Sequence, residues 1–447
     1  MGVAARRERR VAFHTFGCKL NQFETEALAS SFLAHGFVIV PADQEADAYV
    51  INTCTVTSRA DHKARSMIRG IAREHPGTPL IVTGCSAQTE SEALSALACN
   101  IVVVPQSEKS RLLELPLALL RSLDAGKEPG ANPRALLDTE SAADPFAFAP
   151  TDYSFHTRAF LKIQDGCDCR CAYCRVPLAR GRSVSLELRE VLGRAAALES
   201  RGRREIVLTG VNISAWRAGG TGLPGLLREL LRSTSRARIR LTSLEPESLT
   251  SELVEVLAEP RICPHFHIPV QSGSDGVLVR MGRRYLSDRV SDGVQRLREA
   301  RGDPFIAGDF IVGFPGETQE DFQRTRGMVQ RLEFAALHVF PFSSRPGTAA
   351  ASMKPVVPER IRRERARELS ALAEELSASY ARRWVGREVE VLLEGKTGAR
   401  PHGVTGNYLK VTVNRVPRDA SIPGKVVRAK ISGAGRTCSA RFLGIAD

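Results

Sequence analysis

Short apolar runs, each followed by a longer stretch with apolar positions three and four apart, recur in two blocks along this chain. In the first block, residues 11–122, the runs fall at 11–16, 48–53, 80–84 and 101–104, with helical periodicity over 21–35, 57–74 and 88–97. Strand–helix alternation of this kind predicts an open parallel α/β sheet. The periodicity vanishes over 123–152, where Pro, Gly, Asp and Ala dominate and a linker is expected. It returns from 153 to about 345 with strand-like runs at 159–163, 205–209, 238–242, 265–269, 305–312 and 336–340. Helical patterns separate them, as at 186–199 and 224–232, so the block predicts a (βα)6 sheet curved as a full or partial TIM-like barrel. Residues 359–384 read as one long charged helix, a solvated connector laced with i,i+4 ion pairs. Beyond it the period switches to two. Runs at 388–394, 407–413, 425–431 and 438–444 predict a small closed β-barrel of the oligonucleotide-binding sort. The expected division is therefore 9–122, a linker at 123–152, a core at 153–384 and a barrel at 385–447.

Composition changes this picture in two ways. The chain of 447 residues is 43% hydrophobic and 25% charged, ordinary for a globular protein, yet carries a net charge of +13. Such an excess favours an anionic partner, nucleic acid first among them. The terminal segment 385–447 holds 11 Lys and Arg against 5 Asp and Glu, and Tyr408 beside Lys410 offers a stacking face next to positive charge. Ten cysteines are too sparse for a disulfide scaffold, and their clustering suits metal binding in a reducing compartment. The first ten residues are charged and no apolar h-region follows them, and no apolar run approaches the roughly 18 residues of a membrane span. A cytoplasmic protein with no membrane partner is expected.

The cysteines carry the chemistry. Cys167, Cys171 and Cys174 follow the first strand of the second block at C-x3-C-x2-C spacing. Soft thiolates so spaced can hold three corners of an iron–sulfur cubane, leaving one iron open for a small molecule. A structural zinc loop is the competing reading. Cys18, Cys54 and Cys85 each lie just past the end of a predicted strand, where open α/β sheets build their sites, and could converge on one point. Otherwise they are three small buried hydrophobes, which most free cysteines are. Cys99, Cys263 and Cys438 have no motif around them, and Cys169 is an extra thiol inside the loop.

Taken together, the stretches TFGCKLNQFETE, INTCTVTSRADHKAR, VTGCSAQ, DGCDCRCAYC, HFHIPVQSGSD, MGRRY and DFIVGFPGET, with GVTGNYLKVTV in the tail, resemble the radical S-adenosylmethionine methylthiotransferases over nearly the whole chain. The first three are most similar to the branch acting on N6-threonylcarbamoyladenosine beside the tRNA anticodon. The resemblance implies an N-terminal cluster domain, a radical core and a TRAM barrel. It implies two 4Fe–4S clusters, one on Cys167, Cys171 and Cys174 and one on Cys18, Cys54 and Cys85, with S-adenosylmethionine on the open iron of the former. Tyr173, Glu245 and Gln271 would contact S-adenosylmethionine. The implied partners are the tRNA anticodon arm, an external electron donor and a sulfur donor. Isopentenyladenosine, a ribosomal-protein aspartate, or a non-catalytic RNA-binding iron–sulfur sensor are the alternatives. Relatives often carry Asn where Cys169 stands here.

Overall fold

Val, Ile and Leu dominate the first block's strands, and in a parallel sheet such runs are covered on both faces. Five form one: β1 (Arg10–Thr15), β2 (Val38–Val40), β3 (Ala48–Thr53), β4 (Leu80–Gly84) and β5 (Ile101–Pro105). All neighbours run parallel in the order β2-β1-β3-β4-β5, and every residue of β3 and β4 is buried. The computed structural model describes residues 8–55, 58–124, 143–150, 153–395 and 400–446. Its contacts divide the chain into two units. The first comprises Met1–Phe155, Asp165–Cys169 and Cys174–Ser183; the second comprises His156–Gln164, Arg170–Tyr173 and Val184–Asp447.

The edge strand β2 was not expected, because three residues are too few to show a period. The single helix expected over 88–97 is instead two short ones, Cys85–Thr89 and Ser91–Ser95, parted at Glu90, whose φ of −143° is not helical. Much of the expected linker, residues 125–142, 151 and 152, lies outside the described residues. Of the remainder, Phe146 and Phe148 are buried in the first unit.

In the second unit, β6 (Ala159–Lys162), β7 (Glu205–Thr209) and β8 (Arg238–Leu241) pair in parallel. So do β9 (His265–Gln271), β10 (Phe305–Val312) and β11 (Ala336–Pro341). Single bridges, Ile239 to Ile262 and Ser243 to His267, carry the curve from one triplet to the next. Six strands thus follow sequence order, and among the described residues no pairing closes β11 onto β6, so the barrel is partial. The turn after β10 ends in a capping box, with Thr318 and Asp321 satisfying each other's backbone N–H at the start of helix Gln319–Arg331.

Helix Glu359–Arg383 carries i,i+4 pairs such as Arg360–Glu364, but it is more than a solvated connector. Leu369, Tyr380 and Ala381 are buried on one side, and Arg365 reaches a buried Glu317 at 2.6 Å. Five strands follow: β12 (Glu388–Glu394), β13 (His402–Thr405), β14 (Lys410–Asn414), β15 (Val426–Gly433) and β16 (Cys438–Ile445). They close as β12-β13-β14-β16-β15, antiparallel except for β14 with β16.

The run at 407–413 does not form one strand. Gly406 and Asn407 make the turn between β13 and β14, and Tyr408 follows them in the left-handed region at φ +65°. The expectation that Tyr408 stacks on nucleic acid fails for the same reason. Its ring lies 4.2 Å from His265 and 6.0 Å from Phe305, with Arg240 5.0 Å and Arg158 5.5 Å from its centroid. It plugs the lower end of the partial barrel. Phe305, Ala307, Ala335, Tyr380 and Ala381 accordingly share one core with Val391, Leu393, Val411 and Val427 of the small barrel.

Candidate iron–sulfur and substrate sites

In the first unit, β1, β3 and β4 are consecutive neighbours in the sheet, so their C-terminal ends lie side by side. Cys18 caps helix Lys19–Ala34, Cys54 follows β3 directly, and Cys85 opens the short helix after β4. The Gly17 turn lies hard against Cys54: a Cβ at Gly17 would sit 2.6 Å from the Cys54 Cβ and 2.8 Å from its Sγ, and φ is +102°. Asn21 pins that turn, donating to the Phe16 carbonyl at 2.8 Å and the Thr53 carbonyl at 2.9 Å. Ser86 holds the Cys54 carbonyl at 2.9 Å. Cys54 and Cys85 are buried, and Cys18 is exposed.

A fully buried charged network lies close to the cysteines. Lys109 Nζ donates to Glu24 at 2.5 Å and to Asn52 Oδ1 at 2.8 Å. Arg180 donates to Glu24 at 2.9 Å, to both Asp165 oxygens at 3.1 Å and to Asn21 Oδ1 at 2.8 Å. Burial pushes the Cys85 thiol up; the Arg180 and Lys109 cations pull it down while the Cys18 and Glu24 charges oppose them. The net direction is upward, so the thiol keeps its proton until a metal displaces it, and the neighbouring cations only reduce the cost of forming the thiolate that a metal ligates. Glu24, Lys109 and Arg180 gave no signal as a set in the sequence, being as much as 156 positions apart.

The radical loop places its thiols in donor-rich surroundings. In the first unit, Cys167 Sγ accepts the Cys169 backbone N–H at 3.4 Å, and Cys174 Sγ accepts that of Val176 at 3.4 Å. The extra residue at 169 thus contributes its amide to a neighbouring sulfur. Arg175, next to Cys174, is anchored on Thr55 and Glu90, both at 2.9 Å. In the second unit, Cys171 Sγ accepts from Arg283 Nη1 at 3.2 Å, and Arg283 also forms an ion pair with Glu245. Burial lifts the Glu245 carboxyl to about 7, with Arg283 opposing the rise. Tyr173 sits half-buried with its ring edge-on to Phe314 at 6.5 Å. Gln271 lies buried at the upper end of β9, where the register with β10 shifts and φ is +67°. Glu245 and Cys171 are thus linked through Arg283, which Tyr173 also approaches closely enough to act on electrostatically, whereas Gln271 has its own surroundings. Arg283 was missed. It stands in the MGRRY stretch beside the exposed Arg284, and nothing local distinguishes the two.

These residues fit iron–sulfur groups. Each of the three radical-loop sulfurs accepts an N–H, the surroundings of a cluster thiolate, and such hydrogen bonds tune cluster potential.

The comparisons with known proteins agree with this geometry. The model of the uncharacterized protein family UPF0004 matches residues 10–104, and the radical SAM superfamily model matches residues 161–329. Among solved structures, the radical S-adenosylmethionine methyltransferase TsrM from Kitasatospora setae superposes with a TM-score of 0.52 at 17% identity, over 77% of each chain, a likeness of fold. The fold class is therefore that of the radical SAM enzymes. Three relatives align along almost the full length. A threonylcarbamoyladenosine tRNA methylthiotransferase, MtaB, of Treponema pallidum is 39% identical over 95% of this chain and 98% of its own. Its namesake in Bacillus subtilis is 37% identical over 95% and 94%. A tRNA-2-methylthio-N(6)-dimethylallyladenosine synthase of Cereibacter sphaeroides is 36% identical over 96% and 97%. The chain belongs to the radical SAM tRNA methylthiotransferase family.

Proposed function

We infer that this chain is a tRNA methylthiotransferase that places a methylthio group on C2 of N6-threonylcarbamoyladenosine beside the anticodon. The observation that carries the reading is the pair of cysteine triads, each held past the C-terminal ends of the parallel strands that precede it, in a chain aligned end to end with enzymes named for that reaction. When bound, two 4Fe–4S clusters and S-adenosylmethionine supply the radical and methyl-sulfur chemistry that no side-chain acid or base can perform on an unactivated aromatic carbon.

The chain's own residues bind and orient. Cys167, Cys171 and Cys174 hold the radical-generating cluster, and Cys18, Cys54 and Cys85 hold the second. Arg283 fixes Cys171 and the Glu245 carboxylate together, and Lys109 and Arg180 hold positive charge beside Cys85. Tyr173, Glu245 and Gln271 are the proposed contacts of S-adenosylmethionine. Cys169 donates its amide to the Cys167 sulfur, and its own thiol is expected to be a spectator. Segments 9–122, 153–384 and 385–447 act as the cluster, radical and RNA-binding parts, with 123–152 between them. The small basic barrel contributes affinity for the tRNA backbone, which makes binding salt-dependent. An external electron donor and a sulfur donor complete the partner set. Among the described residues no helix is long and apolar enough to cross a membrane.

A second reading, isopentenyl (dimethylallyl) adenosine as substrate, draws support from relatives only slightly less identical, at 36%. Reconstituted protein assayed on tRNA carrying either nucleoside separates the two. We expect the methylthio mass increment on threonylcarbamoyladenosine; an increment confined to the isopentenyl tRNA would transfer the assignment.

A further inference from the structure

Four polar side chains on successive strands of the partial barrel form a hydrogen-bonded chain that no cysteine uses. Ser243 Oγ, just past β8, bonds His267 Nδ1 on β9 at 2.8 Å. His267 Nε2 reaches Asp309 Oδ1 on β10 at 2.7 Å, and His338 Nδ1 on β11 reaches the same oxygen at 2.9 Å. The register demands the meeting: Asp309 pairs with His338, and Ser243 bridges to His267.

The chain lies on the barrel's inner face. Side chains alternate along a strand, and Phe266, Ile268 and Phe310 are completely buried on the other face. His267 shares its face with His265, and Asp309 shares its face with Phe305, and both lower residues are capped by the Tyr408 ring. The inner face is therefore closed below by Tyr408. On the side of the strands' C-terminal ends, Glu245 follows Ser243 by two positions and reaches Cys171 through Arg283. The Asp309 charge is close enough to act on the Glu245 carboxyl.

Exposure rises along the chain, from 14% for the His267 side chain through 22% for Asp309 to 57% for His338. One carboxylate oxygen takes both imidazoles, so each gives it an N–H. His267 Nδ1 is left to accept from Ser243. His338 is left presenting Nε2, which has no hydrogen-bond partner among the described residues. A solitary ring edge, oriented by a carboxylate that is itself braced from behind, is built to meet something polar.

We propose that His338 Nε2 hydrogen-bonds the carboxylated N6 substituent of the target adenosine, with Asp309, His267 and Ser243 as its positioning residues, and so selects a threonylcarbamoyl over a hydrocarbon substituent. The inference rests on the reading above and deepens it. The threonylcarbamoyl group offers a carboxylate, a hydroxyl and ureido groups; an isopentenyl group offers only carbon. An imidazole facing carbon loses its solvent partners and gains none, and sites that hydrogen-bond a substrate reject the analogue lacking that group by large factors.

The test compares wild type, His338→Phe and His338→Gln as reconstituted holoenzymes on tRNA bearing each nucleoside. Equilibrium binding of the same tRNAs and total metal content are measured alongside. For His338→Phe we expect the ratio of kcat/KM for the threonylcarbamoyl over the isopentenyl substrate to fall about a hundredfold. The binding preference should collapse with it, at unchanged iron content. His338→Gln, which keeps a polar edge, should stay within about tenfold of wild type. Equal losses on both substrates, or no loss on either, would overturn the role of His338. So would a non-cluster metal ion bound by wild type and absent from His338→Phe, since two imidazoles and a carboxylate within 4.8 Å of one another also make a metal set. Wild type active only on the isopentenyl tRNA sinks the functional reading and this inference together, an outcome visible before any variant is made.

Discussion

Cysteine spacing was legible because metal ligation needs several soft donors within a few ångströms, and a short loop can supply three of them. The residues that surround the thiols were not legible in the same way. Arg283 reaches Cys171 across 112 positions, and the Glu24–Lys109 pair spans 85. Cys18, Cys54 and Cys85 follow the strands of the first sheet and are separate from the radical loop's own ligands. Replacing Cys18, Cys54 and Cys85 together by Ala should therefore remove roughly half the iron while S-adenosylmethionine cleavage persists. No methylthio product should form. Iron analysis, 5′-deoxyadenosine release and nucleoside mass spectrometry check the three limbs, and full product formation would sink the two-cluster assignment.

At the scale of elements, the β7–β8 pair carries a buried ion triad that the strand pattern concealed. Glu205 bonds Arg240 at 2.6 Å and Arg238 at 2.7 Å, and both Glu205 and Arg240 are completely buried. Arg240 then forks onto the carbonyls of Thr405 and Gly406 at 3.0 Å, tying the partial barrel to the small one. Burial works to raise the Glu205 carboxyl, yet the Arg240 and Arg238 charges outweigh it and hold the group at about 2. With the folded value below the ordinary one of about 4.3, the stabilisation is present above that pH and is lost as pH falls towards 2. Glu205→Gln should destabilise the protein by about 3–5 kcal/mol at neutral pH, because it leaves buried guanidinium groups without their counter-charge. The deficit should shrink steadily between about pH 4.3 and 2 in chemical unfolding. A deficit independent of pH would contradict the triad's ionised state.

At the scale of the whole molecule, the tail is not an appendage of the second unit. Phe305, Ala307, Ala335, Tyr380 and Ala381 pack with Leu409, Val411, Val427 and Ala440 in one core, and Tyr408 closes the partial barrel from below. Ending the chain after Arg383 would open this core to water, at about 25 cal/mol for each Å² of apolar surface exposed. We expect such a truncation to lower Tm by more than about 10 °C, or to abolish soluble expression. An undiminished Tm would show the small barrel to be separable.

The sequence by itself determined the layered α/β class, the six strands of the radical core and the family. These depend on local period and short spacings, and neighbouring residues express them wherever the chain goes. It did not determine β2 or β13, the fate of Tyr408, the role of Arg283, or the meeting of His267, Asp309 and His338. Short strands lack a period to be read, and long-range pairs depend on register. Once β9, β10 and β11 align in parallel, the polar side chains of different motifs become adjacent on one inner face, and no local pattern records that adjacency.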